Sequence, residues 1–283
     1  MAGQDPRDVV RQFKSTAWTS SERAQHYDRT TRSTADLTHF ITTEYIGLLT
    51  QRVAPGSTLL DLGCGTGVIT KALAALGHDV TGVDISQAML DQIDTASPDG
   101  RITLRQGDIY ALPFEAASFD GVITRWVVPH FRDWPLVVKE AARVLRPAGT
   151  LLFDHTSRPN YALAEHERLL DHHGFGHDPR VRAVETGAFY AATTIEELQL
   201  AADIGGLDLV DVVPIGFFRQ NAVIAAALGR DGFKAYRRSL DAFYREPGAR
   251  AFIEWFEQNV TRSLPLEMVN GIAVVMRKPE LEP

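Results

Sequence analysis

Apolar residues recur every three or four positions at Leu37, Phe40, Ile41, Tyr45, Leu48 and Leu49, a spacing that predicts an amphipathic helix running to Val53 and stopped by Pro55-Gly56. Beyond it, short strand-like runs alternate with helical ones. Thr58 to Asp61 reads as a strand, Val68 to Leu76 as a helix closed by Gly77, and Asp79 to Val83 as a second strand, followed by a helix with Ser86 as its N-cap. Strands from Arg101 to Gln106 and Phe119 to Thr124, a helix from Trp134 to Leu145 ahead of Pro147, and a buried strand from Thr150 to Asp154 continue the pattern. Strand–helix–strand alternation requires parallel pairing, so the expected class is α/β with a doubly wound sheet.

The order loosens after His155. Tyr161 to His172 reads as a helix, a glycine-rich stretch follows, and a helix from Thr194 to Ile204 leads to a strand from Leu207 to Val213. Residues from Pro214 to Pro265 read as helical and rich in aromatic side chains, and Gly271 to Met276 reads as a last strand. The expected division is therefore a helical arm over 1–56, a core over 57–213, a helical cap over 214–265 and a final strand within 266–283 that completes the core. The first thirty residues are polar, but Trp18 and Tyr27 interrupt them and need somewhere to pack.

With 283 residues, 45% of them hydrophobic and 23% charged, the chain has ordinary globular composition. A net charge of -7 gives no overall attraction to nucleic acid. The apolar stretches are shorter than the ~20 residues a membrane span needs. One cysteine, Cys64, allows no intrachain disulfide, and the beginning of the chain lacks the pattern of a secretion signal, so a cytoplasmic protein is expected.

The candidate chemistry is concentrated at the strand ends. Asp61 runs into Gly63, Gly65 and Gly67 at the start of a helix, giving a pocket lined by backbone in which a ligand can approach closely. A dinucleotide loop would need a further Gly or Ala three places after the second glycine, and Val68 and Thr70 occupy that region instead. A carboxylate directly before the loop repels phosphates and suits a ligand that carries an ammonium group, such as S-adenosylmethionine. The bland alternative is a tight turn with no ligand. Asp84 ends the second strand, where a carboxylate can take both hydroxyls of a ribose, and Asp108 follows the third strand, placed to accept from an exocyclic amine.

These segments closely resemble the class I methyltransferases with a seven-stranded sheet, particularly the small-molecule enzymes related to those of ubiquinone and menaquinone synthesis. The likeness runs from Leu59 to His155 and rests on Leu59-Leu60-Asp61-Leu62-Gly63-Cys64-Gly65-Thr66-Gly67, Val83-Asp84-Ile85-Ser86 with Met89, Gly107-Asp108-Ile109, Leu112-Pro113-Phe114 and Glu140 to Gly149. It implies a Rossmann-like mixed sheet with an antiparallel last strand and S-adenosylmethionine as cofactor. In the cofactor site the resemblance places Asp61, Gly63, Cys64, Gly65, Asp84, Ile85, Met89, Asp108 and Ile109, with Arg125 and Trp126 bordering both methionine and acceptor. Tyr27, in His26-Tyr27-Asp28, resembles a tyrosine that folds over the cofactor; read without the resemblance, it is an anchor for the arm. Ala148 departs from the family, which commonly has glycine there.

Methyl transfer from a sulfonium is an in-line displacement, so alignment matters most, and a base is needed only for a hydroxyl acceptor. His130 after the fourth strand is the candidate base, weighed against a capping role in a surface loop. His155 and the aromatics Phe217, Phe218 and Trp255 are candidate acceptor contacts, and the alternative for each is ordinary packing. The histidines His166, His172, His173 and His177 lack metal-ligand spacing, so no metal is expected. The leading function is O- or N-methylation of a small apolar or aromatic metabolite in secondary metabolism or quinone synthesis, with a homodimer as the assembly the sequence allows. C-methylation, a cofactor-binding relative without catalysis, and cyclopropane formation on lipids are the competing readings. Nucleic-acid methylation is disfavoured because Thr124-Arg125-Trp126-Val127 is not a base-clamping motif.

Overall fold

The computed structural model describes residues 21–22, 24–25, 36–96, 99–131, 133–157, 193–219, 222–269 and 271–280. Tyr27, the expected helix at Tyr161 to His172 and the histidines 166, 172, 173 and 177 lie outside them.

The chain enters the fold through helix α1 (Leu37–Thr50), where Asp36 accepts a hydrogen bond from the His39 N–H as N-cap. Strand β1 (Thr58–Leu62), helix α2 (Val68–Ala75), strand β2 (Asp79–Asp84) and the short helix α3 (Gln87–Leu90), capped by Ser86, follow in the expected order. Next come β3 (Ile102–Gln106), β4 (Phe119–Thr124), α4 (Trp134–Val144) and β5 (Leu145–Thr156). Helix α5 (Ile195–Gly205) opens on a capping box between Thr194 and Glu197, and β6 (Asp208–Ile215) follows it. Two helices, α6 (Ala222–Tyr244) and α7 (Pro247–Asn259), precede β7 (Gly271–Arg277).

The strands form one seven-stranded sheet in the order β3-β2-β1-β4-β5-β7-β6. Pairing is parallel from β3 through β5, and β7 is antiparallel to both β5 and β6. Strand β6 therefore runs the same way as β5. The C-terminal ends of β1, β2, β4, β5 and β6 share one edge, and this is where open α/β sheets hold their ligands.

Both faces of the sheet are covered. On one side α4 and α5 bury Val137, Val138, Ala141, Leu198 and Ala201 against Leu60, Val122, Leu151 and Val274. On the other, Tyr45 and Leu49 of α1 and Leu73 of α2 pack on Leu59, Ile123, Leu152 and Ala273. Each buried aliphatic side chain contributes about 1.5–3 kcal/mol. A separate cluster of Leu37, Ile41, Leu240, Tyr244 and Ile253 joins the start of α1 to α6 and α7. Helices α6 and α7 thus rest on the start of α1. Among the described residues no helix is long and apolar enough to cross a membrane.

Helix α1 ends at Thr50 rather than Val53 and β6 runs to Ile215 rather than Val213, and the largest difference in extent is at β5. Strand β5 begins at Leu145 rather than Thr150, because pairing with β4 starts at Phe119 opposite Leu145 and resumes at Gly121 opposite Thr150 after an irregularity. Within it, Ala148 adopts φ +62° while its N–H donates to the Lys278 carbonyl at 3.0 Å. A left-handed backbone costs an alanine about 1–2 kcal/mol, and glycine's freer unfolded chain gives back about 0.4–1. Ala148→Gly is expected to raise stability by roughly 0.5–1 kcal/mol in urea unfolding. A variant no more stable than the parent would show that no strain resides there.

Candidate active site

The glycine loop hangs between β1 and β2. The N–H groups of Gly63 and Cys64 both donate to the Val83 carbonyl, at 2.7 and 2.9 Å. Gly63, Gly65 and Gly67 have φ of +72°, +53° and +78°, a region where side chains are strained. At Gly63 space demands glycine as well, since a Cβ would stand 2.4 Å from Val127 Cγ2. The loop therefore presents backbone alone and leads into the N-terminus of α2, where Gly67 caps without a side chain.

Two carboxylates flank it. Asp61 is 2% exposed and accepts from Thr70 Oγ1 at 2.6 Å. Burial pushes its carboxyl up to about 7, against the opposing pull of the Thr70 hydrogen bonds. Asp84 accepts from the Gly65 N–H at one oxygen and from the Ser86 N–H at the other, both at 2.9 Å, which ties the loop to the end of β2. Burial raises its carboxyl too, offset by those two backbone bonds. Asp108 is exposed and accepts from the Tyr110 N–H at 2.9 Å; Ile109 and Met89 are buried, and Ile85 is exposed.

Cys64 is a packing residue. Its Sγ fills the space above Gly82, where a Cβ would meet it at 2.9 Å. A helix N-terminus can lower a thiol's pKa, but here burial and the charges of Asp61 and Asp84 push it upward, so the thiol stays protonated and inert at neutral pH.

At the end of β4 the chain makes a strained turn. Trp126 has φ +58°, which costs on the order of 1–3 kcal/mol in a non-glycine residue, and its N–H donates to Asp154 Oδ1 at 2.7 Å. Arg125 is buried, with its guanidinium 4.4 Å from the centre of the Trp126 ring and 5.3 Å from that of Tyr45, and it donates to Thr42 Oγ1. Tyr45 in turn donates to the Thr124 carbonyl at 2.6 Å, pinning α1 to the end of β4. Burial pushes the Asp154 carboxyl up to about 6, opposed by the Arg125 charge.

His130 closes a 3-10 turn over Val128–His130 and is half-buried. His155 is buried with its ring 4.8 Å from that of Trp134, and its Nδ1 accepts from the Thr156 N–H at 2.8 Å. In the cap, Phe217, Phe218 and Phe256 form a cluster with centroids 5.0–5.4 Å apart. Glu257 supports it by accepting from the N–H groups of Phe217 and Phe218, at 3.3 and 3.1 Å. Trp255 is 53% exposed and stands apart from that cluster, because helical spacing turns it away from the buried Ile253.

The structure thus brings Asp61, Gly63, Cys64, Gly65 and Asp84 together and, through Val127, sets Arg125 and Trp126 beside them. Thr70, Thr42, Tyr45, Asp154 and Glu257 complete these contacts and were not singled out in the sequence. Asp154 alone left a signal, a charge at the end of the apolar run Leu151-Leu152-Phe153. Among the described residues no group of three or more His, Cys, Asp or Glu could hold a metal ion.

Comparison with known proteins places these features. Residues 60–153 match a family described as a methyltransferase domain. The demethylmenaquinone methyltransferase of Symbiobacterium thermophilum is 38% identical over 112 residues, 37% of this chain and 45% of that protein. The malonyl-[acyl-carrier protein] O-methyltransferase of Erwinia pyrifoliae is 39% identical over 108 residues, 37% of this chain and 40% of that protein. The chain therefore spans less than half the length of either relative. In three dimensions it is similar to a chain of the complex between the Haloferax volcanii Trm112 methyltransferase activator and a methyltransferase, with a TM-score of 0.58 and 19% identity, covering 94% of this chain and 98% of that one. At that identity the likeness concerns the fold.

Proposed function

We propose that the chain is a class I S-adenosylmethionine-dependent methyltransferase that moves a methyl group from that cofactor to an oxygen or nitrogen of a small apolar or aromatic molecule. The observation that carries this reading is the loop of three left-handed glycines held between Asp61 and Asp84 on adjacent parallel strands. The donor set fits the cofactor. Asp61 is a buried acceptor held by hydrogen bonds from Thr70, and it suits an ammonium group. The two oxygens of Asp84, each already bonded to one N–H, keep lone pairs for a pair of ribose hydroxyls. When bound, S-adenosylmethionine supplies an electrophilic methyl group on a sulfonium.

The protein's own contribution is alignment. Gly63 and Gly65 let the backbone approach the methionine portion, and Asp108 with Ile109 brackets the base. Trp126 and Arg125 border the donor on the side where the acceptor enters. Phe217 and Phe218 supply an apolar wall for that acceptor, and the imidazole of His130 takes the proton when the acceptor is a hydroxyl.

Titration calorimetry with S-adenosylhomocysteine tests the first half, and one site per chain is expected. Uptake of a nicotinamide dinucleotide in its place would overturn the reading. A panel of aromatic hydroxyl and amine acceptors with radiolabelled methyl donor tests the second. His130→Ala is expected to slow hydroxyl methylation by about 10²–10⁴ and to spare amines. Unchanged turnover on hydroxyls would remove His130 as base.

A further inference from the structure

The geometry points to Asp154 as a positioning residue: its carboxylate holds Trp126 in the left-handed conformation that presses Val127 against Gly63, so the wall of the acceptor site and the cofactor loop share one support. Three observations converge on this. Trp126 is a bulky residue at φ +58°, a conformation that persists only where its surroundings impose it. A 2.7 Å bond from its N–H to Asp154 Oδ1 constrains its peptide plane from the sheet. The next residue, Val127, occupies the space above Gly63 where a Cβ would collide at 2.4 Å. If the turn relaxed toward ordinary backbone angles, Val127 would leave the loop and the Trp126 ring would leave the Arg125 guanidinium that stacks on it at 4.4 Å.

The placement of the carboxylate suits this task. Asp154 lies within β5 opposite Ala273 of β7, one residue beyond the pairing of Phe153 with Thr124 of β4, so the sheet holds its backbone in place. It is 5% exposed. A buried carboxylate costs desolvation free energy unless bonds and charges offset it, and the Trp126 N–H and the Arg125 charge are the groups that do so here. Asp154 thus acts through Trp126 and Val127.

This role rests on the proposed methyl-transfer reading, so the test separates the two. S-adenosylhomocysteine affinity is measured for the wild-type chain, Asp154→Asn, Asp154→Ala, Trp126→Gly and the double variant of Ala at 154 in the Trp126→Gly background. Asparagine keeps an acceptor oxygen for the N–H and is expected to stay within about threefold of wild type. Alanine is expected to weaken binding about tenfold or more in the wild-type background. In the Trp126→Gly background the same change is expected to cost less than about threefold, because glycine takes the left-handed conformation unaided. A merely structural role would cost the same in both backgrounds. Equal losses in the two backgrounds, or wild-type affinity in Asp154→Ala, would overturn the assignment. Emission of Trp126, obtained by difference against Trp126→Phe without any ligand, is expected to shift to the red in Asp154→Ala, and an unchanged spectrum would likewise overturn it. Wild-type protein that takes up no S-adenosylhomocysteine would sink the methyl-transfer reading itself and this role with it.

Discussion

Asp61→Asn is expected to make the protein more stable and unable to hold its cofactor, with both effects growing as pH rises. The Asp61 carboxyl is displaced from 3.8 to about 7 by burial, equivalent to a penalty of up to about 4 kcal/mol once the group is charged. Between those values the folded chain keeps a proton that the unfolded chain has released. Wild-type stability therefore falls as pH rises from about 4 to about 7, and above pH 7 the penalty is complete. Asparagine never charges, so its gain is expected to be on the order of 1–3 kcal/mol at pH 8, after the cost of placing an amide there, and to turn into a loss of about 1–3 kcal/mol near pH 4, where only that cost remains. Cofactor binding runs the other way. The ammonium group needs the carboxylate, so S-adenosylhomocysteine should bind wild type about tenfold more tightly at pH 8 than at pH 6. The variant should bind about a hundredfold more weakly than wild type at pH 8, with no pH dependence across that interval. Urea unfolding and calorimetry at the two pH values measure both halves. A variant that lost stability at pH 8, or wild-type affinity that stayed flat with pH, would show that Asp61 is not the charged partner of the ligand.

Such a trade between stability and binding explains which parts of the molecule were legible in the sequence. The fold was readable because the sheet and its covering helices rest on local periodicity: α1, α2, α4 and α5 each show their apolar face at helical spacing, and the strands β1, β4 and β5 contain the short apolar runs Leu59-Leu60, Val122-Ile123 and Leu151-Leu152-Phe153. The glycine loop was readable for a different reason. Gly63, Gly65 and Gly67 occupy positions with positive φ, where other residues are strained, so backbone geometry is written directly into residue type. Asp61 and Asp84 stood out because they break apolar strands at their C-terminal ends.

What was not legible depends on contacts between segments far apart in the chain. Thr42 and Tyr45 reach Arg125 and Thr124 across about eighty positions, and Asp154 reaches Trp126 across 28. No local spacing encodes those pairs. Trp126 and Ala148 are the instructive failures of local reading, since each adopts a left-handed backbone without being glycine and is held there by a hydrogen bond from its N–H to another element. Trp255 shows the converse. It shares composition with the aromatic cluster, yet the turn of α7 carries it outward, so aromatic content alone does not say which of these side chains pack together.

The tightest spot in the site yields the second large effect. Gly63→Ala is expected to lower stability by roughly 2–4 kcal/mol and to weaken S-adenosylhomocysteine binding by about a hundredfold or more. Two costs add at this residue. A left-handed alanine is strained by about 1–2 kcal/mol, and its methyl group would stand 2.4 Å from Val127 Cγ2, so either the loop or the Val127 backbone must move. Because the same peptide N–H is tied to the Val83 carbonyl at 2.7 Å, the loop cannot retreat without giving up that bond. The two costs separate in a double variant. Val127→Ala removes the obstructing methyl groups and leaves the backbone strain, so in that background Gly63→Ala should cost only about 1–2 kcal/mol, and part of the lost affinity should return. Thermal melts of the four proteins without ligand give the stability cycle, and calorimetry gives the binding cycle. If Val127→Ala rescued neither, the collision would be absent, and the loop would not be shaped by contact with the turn at the end of β4.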